Sequence, residues 1–363
     1  MSGSSFIDDL LLLAFKNGAS DLIIRTFDRI RMRIGGNIVT VPSVKISQPD
    51  RDNSKDMIAH LTRHMPATPD IESINHLDFH YELDGVCHFR VHILRSNNAF
   101  GIVARLIPQQ IPDFKALRLP PVFDEISHYR NGLILMAGAT GSGKSTSLAA
   151  LLSHIIEQRP IHVLTLEDPI EFRYSTEHKG TVTQREIGTD VVSYRQGLID
   201  AMRETPDIIV TGEARGSEEI QLALEASETG HLVMATIHAT TAIGTMQRIM
   251  AAFGKDEQAG IRERLAENLR AIIVQKLLPM KSGNQRIVAL EIMIKNSVVK
   301  HFILDPSHWS EIHRAMEEGH NLYGSQSFDQ HLQQMVEDDL IHYDEAQANA
   351  VFHEDFALRM GRE

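Results

Sequence analysis

One stretch, LMAGATGSGKSTSLAA at 135–150, fits the pattern G-x-x-x-x-G-K-[S/T]. Gly138, Ala139, Thr140, Gly141, Ser142 and Gly143 lead into Lys144, Ser145 and Thr146. An apolar, strand-like run stops at these glycines, and a helical pattern begins after them. Glycines let backbone amides close around a β-phosphate, and the following helix offers its positive N-terminal end. In such a loop the lysine reaches the β- and γ-phosphates and the serine hydroxyl ligates Mg²⁺. The expected ligand is a nucleoside triphosphate with Mg²⁺.

Three further stretches carry groups that such a ligand would need. VLTLEDPIEF ends an apolar strand with Glu167, Asp168 and Glu171. In an open parallel sheet the strand C-terminal ends face the ligand crevice. Three carboxylates there repel a triphosphate unless a metal, or a water awaiting deprotonation, sits between them; the alternative is a solvated acidic turn before Pro169. PDIIVTGEAR has the layout of a strand whose terminal acid, Glu213, holds Mg²⁺ directly or through water. Asp207, at the other end of that strand, reads as a cap or turn residue. Arg215 reads as a γ-phosphate sensor or as a surface ion pair. In ETGHLVMATIHATTA, His231 and His238 flank a short apolar strand. Seven residues of strand separate them by ~20 Å, so they cannot share one metal, and any work they do is different work.

These residues need a frame. Residues 5–17 carry a helical apolar pattern closed by Gly18, where a C-terminal glycine belongs. Strand-like runs flank Gly35-Gly36 and predict a hairpin. A short helix is expected near 52–64, then strands in LDFHYEL, CHFRVHIL and FGIVARLI. A helix-plus-antiparallel-sheet domain over 1–107 follows. The four prolines of PQQIPDFKALRLPP suit an extended linker at 108–121. Beyond it, strands expected at 132–137, 161–166, 207–211 and 231–237 alternate with helices, the signature of a parallel α/β sheet in a second domain, 122–363. From about 254 the pattern reads as mainly helical, with Ile261, Leu265, Leu269 and Ile272 along one face. The acidic stretch from Trp309 onward reads as a solvated helical cap.

Composition narrows the classes. Hydrophobic content of 42% and charged content of 23% are those of a soluble globular protein. The run LLLLAF is too short to cross a bilayer and lacks a basic flank, so neither anchor nor signal peptide is expected. The single cysteine, Cys87, suits a reducing compartment, and the expected location is cytoplasmic. Acidic residues outnumber basic ones by 48 to 36, for a net charge of −12, which disfavours nucleic acid as a required partner. The 19 histidines are scattered without metal-ligand spacing.

Taken in order, the phosphate loop, EDPIEF, GEAR and TGH…IHATTA resemble the Walker A, Asp box, Walker B and His box of the PilT/GspE-type secretion and type IV pilus ATPases. ASDL, LRSNN and ARLIP extend the resemblance over residues 5–305. Within the group the chain is most similar to the DotB-like branch of type IVB secretion. The resemblance implies a RecA-like parallel-sheet P-loop ATPase domain preceded by a smaller PAS-like α+β domain. It also implies a homo-hexamer that hydrolyses ATP with Mg²⁺ and powers effector export, with pilus retraction or extension as the alternative. Docking at the inner membrane on secretion-complex proteins, a larger secretion ATPase among them, is implied as well. By position, Glu171 resembles the water-activating base, supported by Glu167 and Asp168, and Glu213 holds Mg²⁺. His231 and His238 would sense the nucleotide state, and Arg90 and Arg105 would complete the site from the N-terminal domain; otherwise each is a solvent-facing arginine on an edge strand. Three departures stand out. GLIDAMRET has Ile199 where the family has an arginine, leaving Arg203; VVKHFILD matches the retraction motif poorly; and the four-cysteine zinc module is missing. Together they favour the export reading.

Overall fold

Alternation builds the first unit. In the computed structural model, which describes residues 5–41, 48–65, 68–83, 85–107, 110–214, 216–282 and 285–361, the chain divides into two units. The first is Met1–Gln110 together with Pro169–Arg173. It opens with α1 (Phe6–Lys16), after which Gly18 takes the left-handed φ of +64°. Then come β1 (Asp21–Arg25), β2 (Arg31–Ile34) and β3 (Asn37–Thr40). Gly35 and Gly36 both have positive φ, and Ile34 pairs with Asn37, which is the two-residue turn that matches strand twist. A capping box between Asp50 and Asn53 starts α2 (Arg51–Thr62). Last are β4 (His76–Leu83), β5 (Cys87–Ser96) and β6 (Ala99–Ile107). The antiparallel sheet has the order β3-β2-β1-β6-β5-β4. Cys87, Phe89, Val91 and Ile93 of β5 point into a core with Ile7, Leu10 and Leu11 of α1, while His88, Arg90 and His92 take the opposite face.

The second unit is Ile111–Asp168 with Tyr174–Glu363. It begins with α3 (Val122–Ser127), β7 (Gly132–Ala137), α4 (Lys144–Gln158), β8 (His162–Glu167) and β9 (Thr181–Glu186). Next are α5 (Tyr194–Ala201), β10 (Ile208–Glu213), α6 (Ser217–Glu228), β11 (Leu232–Ile237) and α7 (Ala242–Ala251). The sheet has the order β13-β12-β7-β11-β10-β8-β9, in which β12 (Leu269–Pro279) and β13 (Arg286–Ile294) form an antiparallel hairpin and the remaining pairs are parallel. Every residue of β7 is buried, as a strand covered on both faces requires.

Two sequence expectations are corrected. Helix α8 (Gln258–Asn268) ends before Leu269, so Leu269 and Ile272 lie on β12 and not on a helix face. A strand buried on both faces gives an apolar run without period, and such a run cannot be told from a buried helix. The C-terminal stretch is helical but not solvated. After α9 (Ser297–Leu304), the stretch from Trp309 holds α10 (Ile312–Glu318), α11 (His320–Tyr323), α12 (Phe328–Glu337), α13 (Tyr343–Asn349) and α14 (His353–Arg359). Ile312, Met316, Phe328, Leu332, Met335 and Phe356 pack in the same core as Leu265 and Leu269. Short amphipathic helices hid this, because their acidic faces dominate the composition.

One carboxylate lies inside that core. Glu291 on β13 is 1% exposed and accepts the Ala242 N–H that opens α7. Burial pushes its carboxyl up from 4.5 to about 7, against the pull of that N–H and of Lys276, with Asp329 adding to the rise. The folded state therefore binds a proton between pH 4.5 and about 7, and stability present below that window is lost as pH rises through it. Glu291→Gln keeps the acceptor and removes the titration. Melting curves of both proteins from pH 5 to 8 are expected to diverge in the variant's favour by up to about 3 kcal/mol at the alkaline end. A difference that stays constant across the range would remove Glu291 as the cause.

Candidate nucleotide site

Strand β7 delivers the phosphate loop, residues 138–143, to the N-terminus of α4. Gly138, Gly141 and Gly143 take φ values of +147°, +78° and +88°, which L side chains rarely adopt. Two of these glycines answer to one neighbour. Val274 of β12 pairs with Ala137, so Gln275 lies beside the loop as it leaves the sheet. A Cβ at Gly138 would stand 2.6 Å from the Gln275 carbonyl oxygen, and one at Gly143 would stand 2.8 Å from its Nε2. Gln275 is 1% exposed, and its Nε2 donates to the Ser142 carbonyl at 2.7 Å. Its Oε1 is buried with no hydrogen-bond partner among the described residues, which costs roughly 1–3 kcal/mol. Lys144 Nζ donates to the carbonyls of Gly138 and Ala139 at 2.8 and 2.9 Å, folded back over the loop. Ala139, Thr140 and Gly141 are exposed, while Ser145 and Thr146 are half-buried in the first turn of α4.

The neighbouring strands end in the expected acids. Glu167 closes β8, where Thr165 Oγ1 and Gln184 Nε2 donate to its Oε1 at 2.6 and 2.9 Å. Asp168 follows, exposed. Glu213 closes β10 and meets His238 Nε2 at 3.0 Å, so the carboxylate expected to hold Mg²⁺ and the second histidine form one pair. Asp207 accepts the His162 N–H at the far end of β10, the turn role the sequence suggests. Gly212 is where Tyr194 packs: a Cβ there would lie 2.1 Å from the phenol oxygen. For a Mg²⁺ ion, Ser145 and Glu213 supply a hydroxyl and a carboxylate, a donor set that suits an ion shared with phosphate oxygens. Among the described residues no group of three or more His, Cys, Asp or Glu makes a cage of its own.

Other expected residues lie apart. His231 sits at the N-terminal end of β11, with Nδ1 against the Ala226 carbonyl at 3.0 Å and Thr229 Oγ1 at 3.1 Å, a contact with the end of α6. Arg203 is exposed in the turn after α5, its N–H donating to the Asp200 carbonyl. Arg215, like residues 108 and 109 of the expected linker, lies outside the described residues. Glu171 falls in Pro169–Arg173, which groups with the first unit, whereas Glu167 and Asp168 stay with the second. Its carboxylate is exposed between buried Ile170 and Phe172.

Arg90 and Arg105 stand directly opposite each other on β5 and β6. Neither strand is an edge, so the edge-strand alternative is corrected. Successive pairings place Arg33, Asp21, Arg105, Arg90 and His80 in one row across the sheet. Asp21, nearly buried, pairs with Arg105 at 2.8 Å and Arg33 at 3.5 Å. Arg90 has no ion pair among the described residues. Burial, with Arg173 and His88 adding to it, drops His80 to about 4, so it is neutral at pH 7. The row holds three guanidiniums against one carboxylate. Like charges placed opposite destabilise a sheet, and an anion would relieve them.

A model of the type II/IV secretion system protein family matches residues 4–351. The chain belongs to that family. It is 36% identical to the type IV pilus retraction ATPase PilT of Pseudomonas aeruginosa over 96% of this chain and 99% of that one. Among solved structures, the pilus retraction motor PilT with bound ADP superposes with a TM-score of 0.87 at 32% identity, covering 96% of this chain and 98% of that one. The ATPase DotB of Legionella pneumophila gives 0.78 at 29%, covering 94% of each. The mixed α/β architecture with a parallel-stranded sheet is thus that of the PilT and DotB ATPases. Within this family frame, sequence reasoning missed Gln275 and Tyr194. Gln275 left no local signal, since it is one polar residue in a buried strand. Gly212 at a strand end did carry a signal for Tyr194, because a glycine there marks a close approach.

Proposed function

We propose that the chain is an ATP-hydrolysing, Mg²⁺-dependent motor of the PilT kind, assembling as a hexamer and driving a type IV pilus-like machine. The observation that carries this reading is the loop 138–143 at the end of β7, with Gly138 and Gly143 against Gln275, opening on Lys144; β11 beside β7 and β10 beyond it end at the Glu213–His238 pair. Lys144 and the loop amides hold the β- and γ-phosphates. Ser145 and Glu213 hold Mg²⁺, which neutralises charge on the phosphate oxygens. Glu171 takes the proton of the attacking water, and Arg90 and Arg105 supply the positive charge that a loose phosphoryl-transfer transition state needs. His238, bonded to Glu213, changes partners with nucleotide state. His231 stays in the proposal as a distant sensor at the end of α6.

The relatives support pilus retraction better than the effector export that the sequence suggests, because the match to PilT is both longer and tighter than that to DotB. The divergent VVKHFILD stretch and the DotB likeness keep export as the second reading. Purified protein is expected to release phosphate from ATP with Mg²⁺, and Lys144→Ala to lose nucleotide binding at least tenfold. No phosphate release by the wild type at saturating ATP would overturn the motor reading. Deleting the gene in its own cell is expected to abolish fibre retraction; intact retraction with lost protein export would select the second reading instead.

A further inference from the structure

Gln275 belongs to none of the motifs above, yet it fixes the shape of the phosphate loop. Its main-chain oxygen, together with the still nearer Ser142 Oγ, crowds Gly138, and its side-chain Nε2 crowds Gly143, so one residue borders both ends of the loop but only the Gly143 end depends on the amide. Between them, Nε2 donates to the Ser142 carbonyl at 2.7 Å. A peptide carbonyl turned toward Gln275 turns the N–H of the next residue, Gly143, the other way, because the peptide unit is planar and trans. That is how a loop presents N–H groups to an anion.

The amide is also expensive where it stands. Gln275 shares its strand face with buried Ile273 and half-buried Leu277 at alternate positions. Its Oε1 is buried without a partner among the described residues. A leucine or methionine of similar volume would bring no unpartnered oxygen of its own, and its only polar cost would be the donor lost to the Ser142 carbonyl of the loop. Packing alone therefore argues against glutamine here, and the single bond that favours it goes to the loop.

We infer that Gln275 is a positioning residue for nucleotide: its amide holds the Ser142 peptide so that the phosphate loop is in its anion-binding shape before ATP or ADP arrives. The inference rests on the ATPase reading and adds to it a residue acting through the loop and touching no substrate. Because the loop grips ground state and transition state alike, removing the amide raises KM and leaves kcat nearly unchanged.

The test uses Gln275→Leu and Gln275→Met in the full chain, with a fluorescent ADP analogue, steady-state ATPase kinetics and melting of the nucleotide-free protein. Expected is a loss of about tenfold in nucleotide affinity, the scale of one hydrogen bond, with a matching rise in KM, and a melting temperature that holds or rises. Affinity and KM within twofold of wild type in either folded variant would overturn the assignment. Early melting of both variants with unchanged affinity makes Gln275 a structural residue and overturns it as well. If one variant fails to fold, the other decides by the same readouts. Failure of the wild type to bind nucleotide is a different result: it removes the ATPase reading itself, whereas wild-type binding with unaffected variants removes only this inference.

Discussion

Glu171→Gln is expected to lower ATP turnover by about 10²- to 10⁴-fold, the contribution of a positioned general base, while nucleotide binding stays within a few-fold of wild type. Glutamine keeps the size and the hydrogen-bonding oxygen of glutamate but cannot accept a proton at pH 7. The neighbours make the exchange clean. Ile170 and Phe172 are buried on either side and anchor the segment, while the Glu171 side chain is exposed, so the substitution leaves packing alone. Phosphate release measured beside nucleotide binding separates the two effects. Full turnover in the variant would end Glu171's role as base, and loss of binding would make it a ligand instead.

Arg90→Gln with Arg105→Gln is expected to cost about 10³- to 10⁵-fold in turnover, the scale of arginine contributions to phosphoryl transfer. The single variants are more telling than the pair. Arg105 is ion-paired to nearly buried Asp21, so Arg105→Gln should lower the melting temperature as well as the rate. Arg33, at 3.5 Å, leaves Asp21 partly compensated. Arg90 has no such partner among the described residues and stands opposite Arg105, so Arg90→Gln relieves repulsion. Melting of the Arg90 variant is expected to hold or rise while turnover falls, which a structural arginine would not do. If both single variants and the double variant, assembled in a ring, hydrolyse ATP at the wild-type rate, the arginines have no part in the chemistry.

Much of the frame was readable from residues because the signals are local. The glycine pattern of 138–143, the alternation of CHFRVHIL and the Gly35-Gly36 turn each depend on a few consecutive positions. What the sequence hid depends on contacts between distant ones. Leu269 and Ile272 look helical by spacing, yet they are held in β12 by pairing with β7 and β13 on either side. Gln275 gains its importance only because Val274 meets Ala137, far away in the chain. His231 and His238 look equivalent as letters, and only the strand between them assigns one to Glu213 and the other to the end of α6. The helices after Trp309 read as a polar coat because one face of most of them is polar; the other face of α10, α12, α13 and α14 meets the core, while α11 is exposed.

The grouping of Pro169–Arg173 with the first unit means that the backbone passes between units three times, at 110/111, 168/169 and 173/174. A protease that cut only after Gln110 would leave residues 1–110 with no covalent tie to the rest, and only their packing on Pro169–Arg173, the part of the same unit that stays on the other fragment, would retain them. Deleting the first 110 residues would not yield a self-contained engine, since Ile170 and Phe172 would lose the unit they belong to and the acidic loop would be left as slack between β8 and Tyr174. The stretch that carries the proposed proton acceptor thus belongs to the first unit, while the chain on either side of it belongs to the second.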